Sequence, residues 1–133
     1  MTLETRPALK VHDYFIQGFR RSRNPLLPVQ GTVRQGSGNI QAQFSLDIRN
    51  RRVHTVAYKC STCVVLVAYC ELLAELTQGH SLAAATVISP AQLIQAFPAV
   101  PGDRHDRAHL AADALRSAIG ACQCATPKPA KEI

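Results

Sequence analysis

The sequence predicts an α+β domain in which a three-stranded antiparallel sheet is covered on one face by helices. Residues 40–49 alternate apolar and polar side chains with a period of two, which is typical of a strand with one buried face. A second strand pattern at 53–59 follows the turn residues Asn50-Arg51, and the apolar run at 64–76 predicts a central helix. Strands that are followed by several helices favour the α+β class.

The elements that precede the long strands are short. Residues 9–20 predict an amphipathic helix, with Leu9, Tyr14 or Phe15, and Phe19 on one face. Asn24-Pro25 ends that helix, because the residue before a proline disfavours helical backbone. A strand at 31–35 and a Gly-Ser-Gly-Asn turn at 36–39 follow, so the three strands are expected to form a meander. The buried face of the middle strand is predicted to contain Ile40, Ala42, Phe44, Leu46 and Ile48.

Capping signals predict the later helices. The central helix is expected from Ser61 or Thr62 to Gln78. Ser81 is expected to cap a short helix at 82–87, and Ser89-Pro90-Ala91-Gln92 combines an N-cap, a proline and a capping-box glutamine. The last helix is predicted from about residues 103–106 to 119. Residues 1–124 are then one domain, and the Pro- and Lys-rich tail at 125–133 is predicted to be disordered.

Composition narrows the functional classes. The chain of 133 residues has no apolar leader at its start, and the apolar run at 63–69 is too short for a bilayer, so a soluble cytoplasmic protein is expected. In a reducing compartment, its five cysteines favour free thiols or metal ligands over disulfides. The net charge of +6 includes arginine clusters at 20–23 and 49–52. No aromatic residues interleave with them, so we interpret them as solvated turns and a helix end, and nucleic-acid binding is not expected.

Two thiols at a strand-to-helix junction are the most specific chemical feature. Cys60 and Cys63 are expected near unpaired N–H groups of the helix start, which favour thiolate. The spacing suits a metal or a redox site if Cys63 lies one helical turn beyond Cys60 and faces the same way. The alternative is that Cys63 is a residue of the hydrophobic core. An antiparallel hairpin precedes the pair, unlike the βαβ unit of thiol–disulfide oxidoreductases. No enzyme motif is visible, so we expect no catalytic activity.

Four motifs in order resemble the U-type iron–sulfur scaffold family, the fold of IscU and of the N-terminal domain of NifU. The resemblance covers roughly residues 11–120. The motifs are Arg23-Asn24-Pro25, the Gly-Ser-Gly-Asn turn, a cysteine before the long helix that ends in Gln78-Gly79-His80-Ser81-Leu82, and the segment Leu110-Ala111-Ala112-Asp113-Ala114-Leu115.

The resemblance implies a metal pocket with a reduced ligand set. The family holds a zinc ion or nascent cluster with three cysteines and an aspartate. Cys60 matches one of the three cysteines of the family. Ser37 and Arg107 occupy the positions of the other two cysteines, and Asn39 occupies the position of the aspartate. The metal residues expected are Cys60, Cys63, Asp106 and His105, and the pocket residues expected are Ser37, Asn39, Arg107 and His109, with both histidines on one helix face.

Arg107 and the other cysteines are not expected to add ligands to this pocket. Arg107 repels a cation and is expected to pair with Asp103 or with a Cys60 thiolate. Cys122 and Cys124 follow the last helix, about 15 residues at 1.5 Å each from its start, so they are expected to be exposed thiols beside the tail. They would serve the pocket only through tail reversal or from another subunit. Cys70 is predicted to be a core residue.

Three functions remain open. The first is a scaffold-like protein of iron–sulfur cluster assembly that binds iron, zinc or a cluster weakly, either as a monomer or across a homodimer. The second is a regulatory or binding module that keeps the scaffold shape without metal. The third is a thiol-redox protein that uses Cys60 and Cys63. The partners expected are a cysteine desulfurase, other assembly proteins or a recipient apo-protein.

Overall fold

The structure, a computed structural model, describes residues 11–125 and the side chains of residues 11–122. Most of the predicted tail and the start of the chain, with Leu9, lie outside this range. The helices are α1 (Val11–Arg21), α2 (Val64–Thr77), α3 (Leu82–Thr86), α4 (Pro90–Ala96) and α5 (Asp106–Ala125), and the strands are β1 (Val29–Gln30), β2 (Arg34–Gln35), β3 (Gln41–Arg49) and β4 (Arg52–Cys60). Two single 3₁₀ turns occupy Ser37–Asn39 and Gly102–Arg104.

The sheet is antiparallel throughout, with β3 at its centre. β4 pairs with one edge of β3, and β1 and β2 both pair with the other edge. The strand predicted at 31–35 is present only as β2, and the additional strand β1 precedes it, which gives four strands instead of three. β1 and β2 are separate because the Thr32 N–H donates to Ser117 Oγ of α5 at 2.8 Å and not to the sheet. The α+β class and the meander are confirmed.

The turn between β3 and β4 contains two residues with positive φ. Asn50 has φ 52° and Arg51 has φ 63°, the combination that a two-residue hairpin turn requires. The register of β3 and β4 shifts after Asp47, and this shift leaves His54 unpaired between Val53 and Thr55. Such a bulge lets Val53 and Val56, which are three residues apart, both point into the core.

Helices cover one face of the sheet. The predicted buried face of β3 is confirmed, because Ala42, Phe44 and Leu46 are fully buried and Ile48 packs at the edge of the core. α2 and α5 pack on this face, and α1 packs on α2. On the opposite face, the loop after α1 crosses the sheet, where Leu27 N–H donates to the buried Ser45 Oγ at 2.8 Å.

The capping predictions are confirmed for the short helices. Ser81 caps α3, and Ser89 forms the full capping box with Gln92 at the start of α4. α5 begins within the predicted range but continues to Ala125, beyond the predicted end at Ile119. Within the described residues, none of the helices has the length and apolar character needed to cross a membrane.

Candidate functional site

Cys60 and Cys63 lie at the strand-to-helix junction, but neither lies inside the helix. Cys60 is the last residue of β4, and Cys63 is the N-cap of α2. The predicted helix start at 61–62 is wrong because Ser61 still belongs to the sheet. Its N–H donates to the Gln41 carbonyl at 3.0 Å, and its Oγ accepts from the Gln41 N–H at 2.9 Å. The two thiols are therefore not one helical turn apart.

A third thiol approaches this pair from inside the core. Cys70 is fully buried on α2 and shares a hydrogen bond with Cys60. Burial, with a further contribution from Cys60, raises the pKa of the Cys70 thiol well above its ordinary value. Cys70 therefore stays protonated at neutral pH. Its predicted place in the core is confirmed, whereas its contact with Cys60 was not predicted.

Cys60 is reachable from outside the core. It is half-buried and lines a cavity of about 190 Å³ at the end of the β3–β4 hairpin. The other lining residues are mostly polar: Gln41, Gln43, Lys59 and Ser61, with Val33 and Ala42. The cavity leaves room for a small ligand beside Cys60.

Ser37 and Asp106 are in contact, although 69 positions separate them in the sequence. Ser37 Oγ donates to Asp106 Oδ2 at 3.0 Å, and Arg107 Nη1 donates to Asp106 Oδ1 at 2.7 Å. The hydrogen bond from Arg107 is the largest influence on the pKa of Asp106, which it lowers, and the bond from Ser37 acts in the same direction. Asp106 is therefore ionised at neutral pH and is balanced by Arg107.

The Arg107 guanidinium has two neighbours that raise its pKa. The larger influence is its hydrogen bond with Asp106, and nearby Cys63 acts in the same direction. Only 13% of the Arg107 side chain is exposed, and its Nε is buried without a hydrogen-bond partner among the described residues. The predicted pairing with Asp103 or Cys60 is wrong. Asp103 is exposed in the preceding 3₁₀ turn, whereas Asp106 adjoins Arg107 in the first turn of α5.

The other residues predicted for the pocket are not gathered into it. The His105 ring nitrogen lies 3.3 Å from the Val100 carbonyl, and His105 precedes α5. His109 is exposed on α5, so the two histidines do not share a helix face as predicted. Asn39 is exposed in its turn, with φ 62°.

The donors that are present do not fit a resident metal ion. Across residues 11–122, no group of three or more His, Cys, Asp or Glu side chains is arranged to hold one. Asp106 is already bonded to Ser37 and Arg107. A structural zinc site uses about four protein ligands. The predicted metal set of Cys60, Cys63, Asp106 and His105 is therefore brought together only in part.

Cys122, near the end of α5, differs from the prediction. Cys122 is buried within α5, because the helix continues past it to Ala125, so it is not an exposed thiol beside a frayed end. The side chain of Cys124 lies outside the described residues.

A buried charge cluster was missed from the sequence. Glu71 of α2 is 4% exposed and accepts from Arg21 Nε at 2.8 Å, from Arg21 Nη2 at 3.2 Å and from the Tyr58 hydroxyl at 3.0 Å. Burial is the main reason that the pKa of Tyr58 is raised. Arg21 had been assigned to a solvated helix end. The available signal was Glu71 itself, because a carboxylate within an otherwise apolar helix requires a partner.

Comparison with known proteins agrees with the fold. Residues 22–127 match the family described as NifU-like N terminal domain. No curated protein matches the chain. A hypothetical protein whose crystal structure was solved at 2.3 Å is 18% identical, with 84% of this chain and 99% of that chain covered and a TM-score of 0.56. The N-terminal part of a nitrogen-fixing NifU-like protein from Brucella abortus is also 18% identical, with 86% and 98% covered and a TM-score of 0.52.

The two structural likenesses, at such low identity, concern the fold alone. The family match is stronger evidence because it spans most of the sequence, from the loop after α1 to beyond the end of α5. It agrees with the motifs from which the resemblance was predicted. The chain therefore belongs to the family of NifU-like N-terminal domains, the U-type scaffolds of iron–sulfur cluster assembly.

Proposed function

We propose that this chain is a non-enzymatic, scaffold-like protein of iron–sulfur cluster assembly that receives iron or a nascent cluster weakly, as cargo, at Cys60 and Cys63. Family membership supports the role in assembly. The observation that carries the proposal is the position of the two half-buried thiols, three residues apart at the junction of β4 and α2, with Cys60 lining a cavity. Thiolates are the ligands that iron–sulfur clusters use.

Each thiol has a different part in this proposal. Cys60 is the accessible ligand. Cys63 is the second ligand and stands at the N-cap of α2. Cys70 supports Cys60 through their hydrogen bond and remains protonated, so it adds no anionic ligand.

Weak binding follows from the number of anionic donors. Cys60 and Cys63 offer two thiolates, and Asp106 is engaged by Arg107. Each anionic ligand that is missing removes both a bond and a charge, and structural metal sites derive folding stability of ~10–16 kcal/mol from a complete set. The cargo would therefore be held briefly and would be sensitive to oxygen.

The partners would be other proteins of the assembly machinery. A cysteine desulfurase and a recipient apo-protein fit the role of a temporary holder, and a homodimer could bring further thiols to the cargo. The expected location is the cytoplasm, where cysteines remain reduced.

Anaerobic reconstitution with iron and sulfide tests the proposal. The native chain should form a substoichiometric, oxygen-labile cluster, Cys60→Ala should form none, and Cys122→Ala, a change in a buried thiol of α5 remote from the junction in sequence, should behave like the native chain. A stable stoichiometric cluster that survives Cys60→Ala would contradict the proposal, since the cargo would then be held elsewhere.

A second candidate is a docking module that keeps the scaffold shape without carrying metal. The ion pair of Arg107 with Asp106 favours it, because the carboxylate is then neutralised without any metal. This candidate predicts no iron or sulfide on the native chain after reconstitution, and equal binding of assembly partners by the native chain and Cys60→Ala.

A further inference from the structure

We infer that the turn between β3 and β4 is a docking surface for an acidic segment of a partner protein. Its arginines are Arg49, Arg51 and Arg52, and all three are exposed. The inference goes beyond the proposed function and does not depend on cargo at Cys60. β4 is nine residues long, which places the turn ~26 Å from that thiol. A segment held at the turn therefore leaves the Cys60 cavity open.

Stability of the hairpin does not explain these arginines. Arg49 and Arg52 are directly opposite each other in the register of β3 and β4, and like charges at opposite positions are destabilising. Arg51 has φ 63°, in the left-handed region that glycine occupies without steric cost. Two separate local costs therefore fall on the same turn, and we attribute the arginines to contacts outside the chain.

Most of the charge of the turn is not neutralised within the part of the chain that the structure describes. Arg49 pairs with Asp47 at 3.1 Å, but this pair leaves 64% of the arginine side chain exposed. Arg52 Nη1 donates to the Gly79 carbonyl at 3.1 Å, which carries no net charge. Neither Arg51 nor Arg52 forms an ion pair with a carboxylate of the described residues. Two guanidinium groups therefore remain available for a partner.

The backbone of the turn is held in place by the loop between α2 and α3. Val53 forms two backbone hydrogen bonds with this loop, one from the Gly79 N–H at 2.7 Å and one to the His80 carbonyl at 2.8 Å. The Leu82 N–H donates to the Arg51 carbonyl at 3.0 Å. The guanidinium groups therefore extend from a fixed backbone, which reduces the conformational entropy that binding must remove.

The chemistry and the size of the turn fit carboxylates. A guanidinium can form two parallel hydrogen bonds with one carboxylate. The Cα atoms of opposite residues in an antiparallel pair are ~5 Å apart, so a short run of Asp or Glu side chains covers the three arginines. Nucleic acid is a poorer match. Residues 47–55 contain no aromatic side chain on which a base could stack, and so small a patch contacts few phosphates.

Fluorescence anisotropy of a short labelled polyglutamate peptide, at low ionic strength, tests the inference on the full chain. The native chain should bind the peptide. The combined substitutions Arg49→Gln, Arg51→Gln and Arg52→Gln should raise the Kd by at least about tenfold, because each exposed ion pair contributes a few-fold. No measurable binding by the native chain would overturn the inference.

The matched control removes the same charge from exposed arginines elsewhere in the fold, through Arg23→Gln, Arg34→Gln and Arg104→Gln combined. These substitutions should raise the Kd by less than about threefold, since salt screens charges that do not touch the peptide. Equal losses in the two triple variants would also overturn the inference, because the peptide would then respond to net charge alone.

Arg51→Gly separates docking from folding. Glycine at φ 63° relieves the local strain, so this variant should unfold at a higher temperature than the native chain while it binds polyglutamate about threefold more weakly. Unchanged binding by Arg51→Gly would count against a docking role. An oligothymidylate of matched charge is measured in parallel. If it binds more tightly than polyglutamate and loses affinity only in the turn variant, the surface is a nucleic-acid site and the assignment to an acidic protein segment fails.

Discussion

Glu71 and Arg21 form a two-point ion pair that joins α2 to α1, at 2.8 and 3.2 Å, although 50 positions separate them in the sequence. The carboxylate is almost fully buried and also accepts from Tyr58. Arg21 donates further to the Val56 carbonyl at 3.0 Å. The pair therefore ties the first helix both to the central helix and to β4, the strand that ends in Cys60.

Removing Arg21 should be costly because it leaves a buried carboxylate unpaired. We expect Arg21→Met to lower the free energy of unfolding by about 3–5 kcal/mol. Arg20→Met, at the adjacent and exposed position, should change it by less than about 0.5 kcal/mol. Urea denaturation of both variants measures the difference. Equal effects of the two substitutions would show that the Arg21–Glu71 pair is not a structural requirement.

Gly18 lies where α1 approaches α2 most closely. A Cβ atom there would be 2.5 Å from the Tyr58 hydroxyl and 2.6 Å from a Val67 methyl group. Gly18→Ala should therefore destabilise the fold by about 1–3 kcal/mol through overpacking.

Gly120→Ala is the matched control for this substitution. Gly120 lies inside α5, and a Cβ there would meet nothing within 4 Å, so alanine should stabilise the helix by about 0.5–1 kcal/mol. Thermal unfolding of both variants measures the two effects. A stabilising Gly18→Ala would contradict the close packing of α1 on α2.

The tyrosines should not titrate near their ordinary pKa of 10.0. Burial, followed by the hydrogen bond to Glu75, raises the pKa of Tyr14 to about 12, and burial raises the pKa of Tyr58 and Tyr69 as well. Since these are the chain's three tyrosines and it has no tryptophan, phenolate absorbance reports on them without interference.

The sign of the resulting pH dependence is fixed by these raised values. A group whose pKa is raised by folding stabilises the folded state fully below its unfolded value, and this stabilisation is lost as the pH rises through the folded value. The free energy of unfolding should therefore fall between pH 10 and about 12, with Tyr14→Phe weakening the fall. Full phenolate absorbance at pH 10.5 in protein that remains folded would contradict this account.

The sequence predicted correctly those elements that depend only on local capping signals and on side-chain periodicity. The alternation from Ile40 to Ile48 predicted the buried face of β3, and Ser89 with Gln92 predicted the start of α4. The sequence did not predict features that depend on a contact between residues far apart in the chain. Ser61 delays the start of α2 through its bonds to Gln41, which no pattern near residue 61 indicates.

The pocket shows the same limit. Matched motifs predicted that Ser37 and Asp106 lie close together, and their hydrogen bond agrees. The motifs did not predict that Arg107 would lie near Cys63, because side-chain directions depend on the packing of α5 against α2. Glu71 was visible in the sequence as a charge within an apolar helix, but its partner Arg21 became apparent only when α1 was placed beside α2.

The metal content of protein purified without oxygen tests the central claim most directly, namely that this scaffold pocket has a depleted donor set and holds its cargo weakly. We predict well below one iron or zinc per native chain, loss of the bound fraction to a mild chelator, and none in Cys60→Ala. One firmly held metal ion per chain, unchanged in Cys60→Ala, would contradict the claim.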